Sequence, residues 1–139
     1  MSTPAIAAPP PDGTKVTCGR GVSWPGLGLY YHSNNTGSKR CIFGSVDNYD
    51  VDLTNCSSRG CARYYFEADG RDGQNKPVKN AAASAYNYSD YVVRVYFKSG
   101  WGGTWDSFPY YGYQGSAKWY GNLNATYNEN ASQQMVLGG

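Results

Sequence analysis

Cys56-Ser57-Ser58-Arg59-Gly60-Cys61 carries the most distinctive chemistry of this 139-residue chain: two thiols five positions apart that can close a small loop by oxidation. Cys18 and Cys41 complete a set of four cysteines. Zinc fits the set poorly, because no Cys-x2-Cys spacing occurs and His32 is the only histidine. Two disulfides formed in an oxidising compartment fit better in a short chain of this composition. Short intervening loops close most readily, which favours Cys56 with Cys61 and Cys18 with Cys41; two other connectivities remain open. By chain entropy the longer bridge is worth roughly 3.4 kcal/mol and the shorter roughly 2.2 kcal/mol.

The remaining reactive side chains form no machinery. His32 falls at a strand end with no evident nucleophile or carboxylate partner and is expected in an exposed turn. Asp47, Asp50 and Asp52 match no ligand or acid–base spacing and are expected in a solvated turn. Asp69 and Asp72, in the run DGRDG, read as a hairpin turn. With no nucleophile–base pair and no carboxylate pair of raised pKa in view, the chain is not expected to be an enzyme. Trp105, Tyr110, Tyr111, Tyr113, Trp119 and Tyr120 lie within sixteen residues of one another. Exposed together, such rings could stack on sugars; alternate members filling the core is the expectation, because aliphatic residues are few.

That scarcity also shapes the elements. Leu, Ile, Val and Phe number only 20 of 139, while Tyr and Trp add 18 bulky side chains and glycine supplies 18 positions suited to turns. Residues that favour long helices are scarce, so a small all-β domain with an aromatic core is expected. Alternation is clearest over residues 91–98, where Val93, Val95 and Phe97 share one face and Arg94, Tyr96 and Lys98 the other. Residues 27–32 align with 93–98, placing Leu27, Leu29 and Tyr31 inward. Ser33 then matches Ser99, Gly37 matches Gly103, and the segment Asn80 to Ser84 matches Asn128 to Ser132. Shared order and character across two halves indicate an internal duplication. Gly37 to Asn80 spans 43 residues against 25 from Gly103 to Asn128, so the first copy carries an excess of about 18 that includes Cys56 and Cys61. Two such repeats of short strands imply two Greek-key motifs packed as a sandwich.

Net charge is only +2, without a basic stripe, and no nucleic-acid partner is expected. No apolar run is long enough to span a membrane. The start MSTPAIAAPPPDG has neither a basic n-region nor a useful apolar h-region and reads as the mature form of a secreted chain. Pro4, Pro9, Pro10 and Pro11 make residues 1–15 an extended, poorly packed arm, with one domain over 16–139.

Tyr96 to Gly103 fits the aromatic-x4-aromatic-x-Gly hairpin signature and resembles βγ-crystallin motifs. The first copy keeps Tyr30 and Gly37 but has Asn35 at the second aromatic position. VKNAAASAYN (78–87) and NLNATYNENASQ (122–133) are similar to segments of actinobacterial secreted proteins of peptidase inhibitor family I36, which resembles crystallin domains in fold. The likeness covers about residues 27–137, with repeat 1 at about 27–90 and repeat 2 at about 91–137. It implies an all-β, βγ-crystallin-like sandwich of two Greek keys. It also implies a secreted monomer that inhibits an extracellular peptidase of the metallo- or serine type.

On that resemblance the loop Cys56, Ser57, Ser58, Arg59, Gly60 and Cys61 is the reactive loop, with Cys56–Ser57 as the bond presented. Ser57 departs from the bulky apolar residue that thermolysin-like enzymes favour there, and Arg59-Gly60 would suit a trypsin-like enzyme instead. The crystallin segment [N/D]-[N/D]-x-x-[S/T]-S, which supplies hard oxygens to Ca²⁺, is partly kept by Asn80 and Ser84 in one copy and by Asn128, Glu129 and Ser132 in the other. With Glu129 as the one nearby anion, any Ca²⁺ site is expected to be weak, and no other cofactor is implied. The alternative function is a calcium-stabilised or glycan-binding wall or surface module without inhibitory activity.

Overall fold

The computed structural model describes residues 8–136, and ten strands are assigned within them. β1 (Thr14–Val16), β2 (Leu27–His32) and β3 (Thr36–Phe43) open the chain, followed by β4 (Asp52–Ser57), β5 (Gly60–Ala62) and β6 (Ser84–Asn87). β7 (Val92–Lys98), β8 (Gly102–Phe108), β9 (Tyr120–Asn122) and β10 (Ser132–Val136) complete the set, and no helix occurs among the described residues. They form a five-stranded sheet in the order β1-β3-β2-β6-β9, a three-stranded sheet β10-β7-β8, and a separate two-stranded sheet β4-β5. Among the described residues no helix is long and apolar enough to cross a membrane.

The duplication is visible in the backbone. β2–β3 and β7–β8 are hairpins with a register shift at matching places, between Tyr30 and His32 in one and between Tyr96 and Lys98 in the other. Both turns use left-handed residues at equivalent positions: Asn34, Asn35 and Gly37 (φ 62°, 57° and 78°), then Gly100, Trp101 and Gly103 (φ 71°, 61° and 74°). Trp101 accepts a conformation that costs an ordinary L-residue roughly 1–2 kcal/mol. Its indole N–H, shared between the carbonyls of Val46 (3.1 Å) and Gln133 (2.8 Å), helps hold it there.

The two repeats exchange strands. β6 of the first repeat takes β9 of the second as its outer neighbour, pairing Ser84 with Asn122 and Tyr86 with Tyr120. In return β10 of the second repeat pairs with Val46 of the first, with N–H···O bonds of 2.8 and 2.9 Å in the two directions between Val46 and Gln133. Each hairpin is thus followed by the last strand of its own repeat and then by a contribution from the other repeat, a strand (β9) in one sheet and the single bridge at Val46 in the other. The linking segments cross with near-symmetry: Asn80 N–H donates to Asn130 O at 2.8 Å, and Asn128 N–H to Ala82 O at 2.9 Å.

Leu29 and Val95, matched by the repeat, are both fully buried between the sheets. Tyr49, Tyr64 and Phe66 fill the rest of the core with aliphatic neighbours such as Ile42 and Val78. Polar atoms within it are paired: Gln133 Oε1 accepts the Tyr49 hydroxyl at 2.9 Å, and Gln133 Nε2 donates to Gly44 O at 2.9 Å.

Three expectations are corrected. Phe97 is 38% exposed rather than the third inward residue of β7, because the register shift after Tyr96 reverses the alternation. The aromatic cluster of the second repeat does not fill the core: Trp105 and Tyr110 are 46% and 44% exposed, and Tyr111 and Tyr120 are also exposed. Thr14 and Lys15, expected in the arm, instead belong to β1 and pair with Phe43 and Ile42 on the edge of the five-stranded sheet; residues 1–7 lie outside the described residues. The cysteines pair as Cys18–Cys41, which ties the segment after β1 to β3, and Cys56–Cys61, which closes β4 on β5.

Candidate functional site

The excess residues of the first repeat build the β4–β5 hairpin. Ser57 faces Gly60 and Cys56 faces Cys61, so Ser58 and Arg59 are the two turn residues, and Gly60 completes the turn with φ 111°. Ser57 Oγ accepts the Arg59 N–H at 3.2 Å and steadies the turn. Residues 53–60 are all exposed, Leu53 most conspicuously at 71%. Among the described residues β4 and β5 pair only with each other, so no third strand pairs with this hairpin.

A buried acid anchors the hairpin base. Asp52 is fully buried; its Oδ1 accepts the Thr54 hydroxyl at 2.8 Å and the Thr54 N–H at 3.3 Å. The Tyr64 hydroxyl lies 2.8 Å from Asp52 Oδ2 and 2.7 Å from Gly13 O. Gly13 is required at this junction, since a Cβ there would stand 2.6 Å from both Asp52 Oδ2 and the Tyr64 oxygen. Asp47 Oδ1 accepts the Leu53 N–H at 3.0 Å. Burial, aided by the Asp52 charge, pushes the Asp47 carboxyl above the ordinary carboxylate value. Burial and the bond to Asp52 likewise raise the Tyr64 phenol. Asp52 is therefore not the solvated turn residue expected, whereas Asp47 is half-buried at a bend and Asp50 is exposed.

The calcium candidates lie elsewhere. Asn80 and Asn128 are both exposed, both left-handed (φ 61° and 53°), and both line a cavity of about 610 Å³ with Tyr31, His32 and Tyr127. Ser84 Oγ accepts the Asn35 N–H at 2.9 Å and donates to His32 O at 2.7 Å. Ser132 Oγ does the equivalent between Trp101 N–H (3.2 Å) and Lys98 O (2.7 Å). Each hydroxyl thus bridges its own hairpin. Glu129 is exposed, and among the described residues no three His, Cys, Asp or Glu side chains gather where they could hold an ion. Among the oxygens offered to Ca²⁺ only Glu129 carries a charge, and both serine hydroxyls are already in use, a poor fit to a strong site.

His32 has a partner after all: its Nε2 lies 2.6 Å from Asp72 Oδ2, both side chains being exposed. Forty residues separate them, and no short-range pattern linked them. Asp106 was also missed. Its carboxylate accepts the N–H groups of Asn124 (3.1 Å), Ala125 (3.2 Å) and Thr126 (2.9 Å) and the Thr126 hydroxyl (2.6 Å), fixing the turn before Asn128. The run Asn-Ala-Thr is turn chemistry, but nothing near it in sequence names its acceptor. The outer aromatics pair with one another: Tyr86 stacks on Tyr88 at 4.2 Å and on Tyr120 at 5.4 Å, and Arg20 sits 4.8 Å over Tyr111.

No family model matches the chain, and no curated protein matches it. A solved structure described under the evolution of the eye lens βγ-crystallin domain fold is similar to it, with a TM-score of 0.50 and 11% identity, over 88% of this chain and 95% of that one. Likeness at that identity speaks for the fold: this is a βγ-crystallin-like domain with two disulfides.

Proposed function

We propose that the protein is a secreted inhibitor of an extracellular peptidase, binding through the β4–β5 hairpin. The observation that carries this reading is the hairpin itself: residues 53–60 are exposed, closed by Cys56–Cys61, and stand outside both large sheets. A peptidase binds its substrate as an extended strand. A hairpin already held in that shape loses little entropy on binding, and its open edge can add to the enzyme's own strand. The buried Asp52–Tyr64 junction roots this hairpin in the core, so it is presented at a fixed angle. The resemblance to inhibitor family I36 supports the same reading. Within the hairpin, Cys56–Ser57 belongs to strand β4, whereas Arg59–Gly60 runs from the turn into β5, and Gly60 has φ 111°. Seating Arg59–Gly60 as an extended substrate would require the turn to open, so the geometry favours Cys56–Ser57 and a metallo-type target. The two disulfides suit an oxidising, extracellular setting.

Incubation with thermolysin-like, subtilisin-like and trypsin-like enzymes tests the proposal. Inhibition is expected to strengthen when Ser57→Leu supplies the apolar side chain that a thermolysin-like site prefers. Arg59→Ala is expected to weaken it by tenfold or less, as loss of a rim contact does. Unchanged inhibition in both variants with the disulfide intact, or none against any class, defeats the reading.

The outward placement of Trp105, Tyr110, Tyr111 and Tyr120 favours a second reading, a glycan-binding surface module. Tyr86 stacks on both Tyr88 and Tyr120 and so covers part of the Tyr120 ring that a sugar would need.

A further inference from the structure

We propose that a cleft on the outer face of the β10-β7-β8 sheet binds a small carboxylic acid carrying an apolar or aromatic body. Register places Gln134, Arg94 and Ser107 in one row across that sheet and Val136 beside Val92 in the next. Over these rows the segment after β8 folds back, and a half-open space of about 250 Å³ is lined by Val92, Val136, Pro109, Tyr110 and Tyr113 together with Arg94.

Arg94 is the observation that calls for a ligand. It is the one charged side chain lining the cleft. None of the three ion pairs among the described residues involves it, and no Asp or Glu lines the cleft. A guanidinium fork matches the two oxygens of a carboxylate, and a cation without an anionic partner beside apolar walls suits an acid with an apolar body. The fork is also held in position, its carbon 5.0 Å over the Trp105 ring. One cation, with Ser107 beside it, suits a single negative charge better than the double charge of a phosphate. Tyr110 and Tyr113, edge to face at 5.4 Å, make a firm apolar wall for the body of the ligand. The volume lies just below the roughly 300–1,000 Å³ of pockets for drug-sized ligands, which limits that body to about one ring or a branched aliphatic group. No residue of the β4–β5 hairpin lines the cleft, so this site and the proposed inhibitory one stand or fall separately.

Calorimetric and tryptophan-fluorescence titration of the full chain tests it, with phenylacetate as a free acid and N-acetylphenylalanine as the mimic of a peptide C-terminus. Saturable binding of at least one is expected, and tighter binding of the second would identify a peptide end as the source. The methyl ester of phenylacetate, inorganic phosphate and glucose are expected to bind at least tenfold more weakly than the better acid. Arg94→Met keeps an unbranched side chain on Trp105 and is expected to lower acid affinity at least tenfold with the near-ultraviolet spectrum unchanged. Ala117→Phe, which leaves Arg94 in place and fills the cleft from its rim, is expected to abolish binding even if Arg94→Met fails to fold. Ester, phosphate or glucose binding as tight as the acid, full affinity in Ala117→Phe or in folded Arg94→Met, or no saturable binding of either acid would each overturn the proposal.

Discussion

Tyr49 is wholly buried, and its hydroxyl donates to Gln133 Oε1 at 2.9 Å. Burial is the first cause raising the phenols of Tyr30, Tyr49, Tyr64 and Tyr88 above their ordinary value of 10.0. A phenol raised in the folded state keeps a proton that the unfolded chain releases. Its contribution to stability is full below the unfolded value and is lost as pH rises toward the folded one. The denaturant midpoint is therefore expected to hold steady up to about pH 9 and to fall from about pH 10 upward. Tyr49→Phe should lower stability at neutral pH by about 1–3 kcal/mol, because Gln133 Oε1 loses its donor, and should also flatten the alkaline decline. A midpoint that is flat through pH 11 would show that these phenols titrate alike in both states. Composition made an aromatic core legible, but it named the wrong aromatics. Tyr49, Tyr64 and Phe66 enter from the long excess stretch and lie outside its assigned strands, so no alternation reveals them as inward. The clustered rings of residues 105–120 were more conspicuous in sequence and lie outside.

At the scale of elements, Ser84 and Ser132 explain why two hairpins of different sequence share one shape. Each hydroxyl joins the turn of its hairpin, at Asn35 or Trp101, to the strand leading in, at His32 or Lys98. Ser84→Ala and Ser132→Ala each leave a backbone donor and acceptor without that partner and are expected to cost about 1–3 kcal/mol. The two lie in different sheets, so the double variant should lose the sum, read by urea denaturation. A loss below about 0.5 kcal/mol in either would make that hydroxyl idle, as for a surface substitution. The repeat was legible because glycine, aromatic and serine positions recur at fixed offsets. Phe97 was misplaced because a bulge leaves no compositional mark, and period-two reading runs straight through it. The hairpin of residues 52–62 could be located by its cysteines. Its anchor could not, because Asp52 reaches Tyr64 and Gly13 through contacts that only the folded chain creates.

The whole molecule is held as one unit by the exchange between repeats. β10 needs Val46, β6 needs β9, and the crossed bonds of Asn80 with Asn130 and Asn128 with Ala82 stitch the linking segments together. Neither disulfide joins the two repeats: Cys18–Cys41 and Cys56–Cys61 both fall before residue 91. Cohesion between repeats is thus noncovalent, resting on exchanged strands and on the shared burial of Leu29, Val95, Tyr49 and Phe108. A three-stranded sheet becomes stable when its apolar face is covered. Residues 91–139 alone would keep β7, β8 and β10 but lose Val46 and the whole opposing face. That fragment is expected to be unfolded by circular dichroism, and to gain structure when mixed with residues 1–90 carrying the oxidised disulfides. The intact chain should unfold in one transition, with near- and far-ultraviolet signals superimposing. A fragment 91–139 that melts cooperatively by itself, or two separated transitions in the intact chain, would mean that the sheets are independent and that strand exchange contributes little to the stability of either.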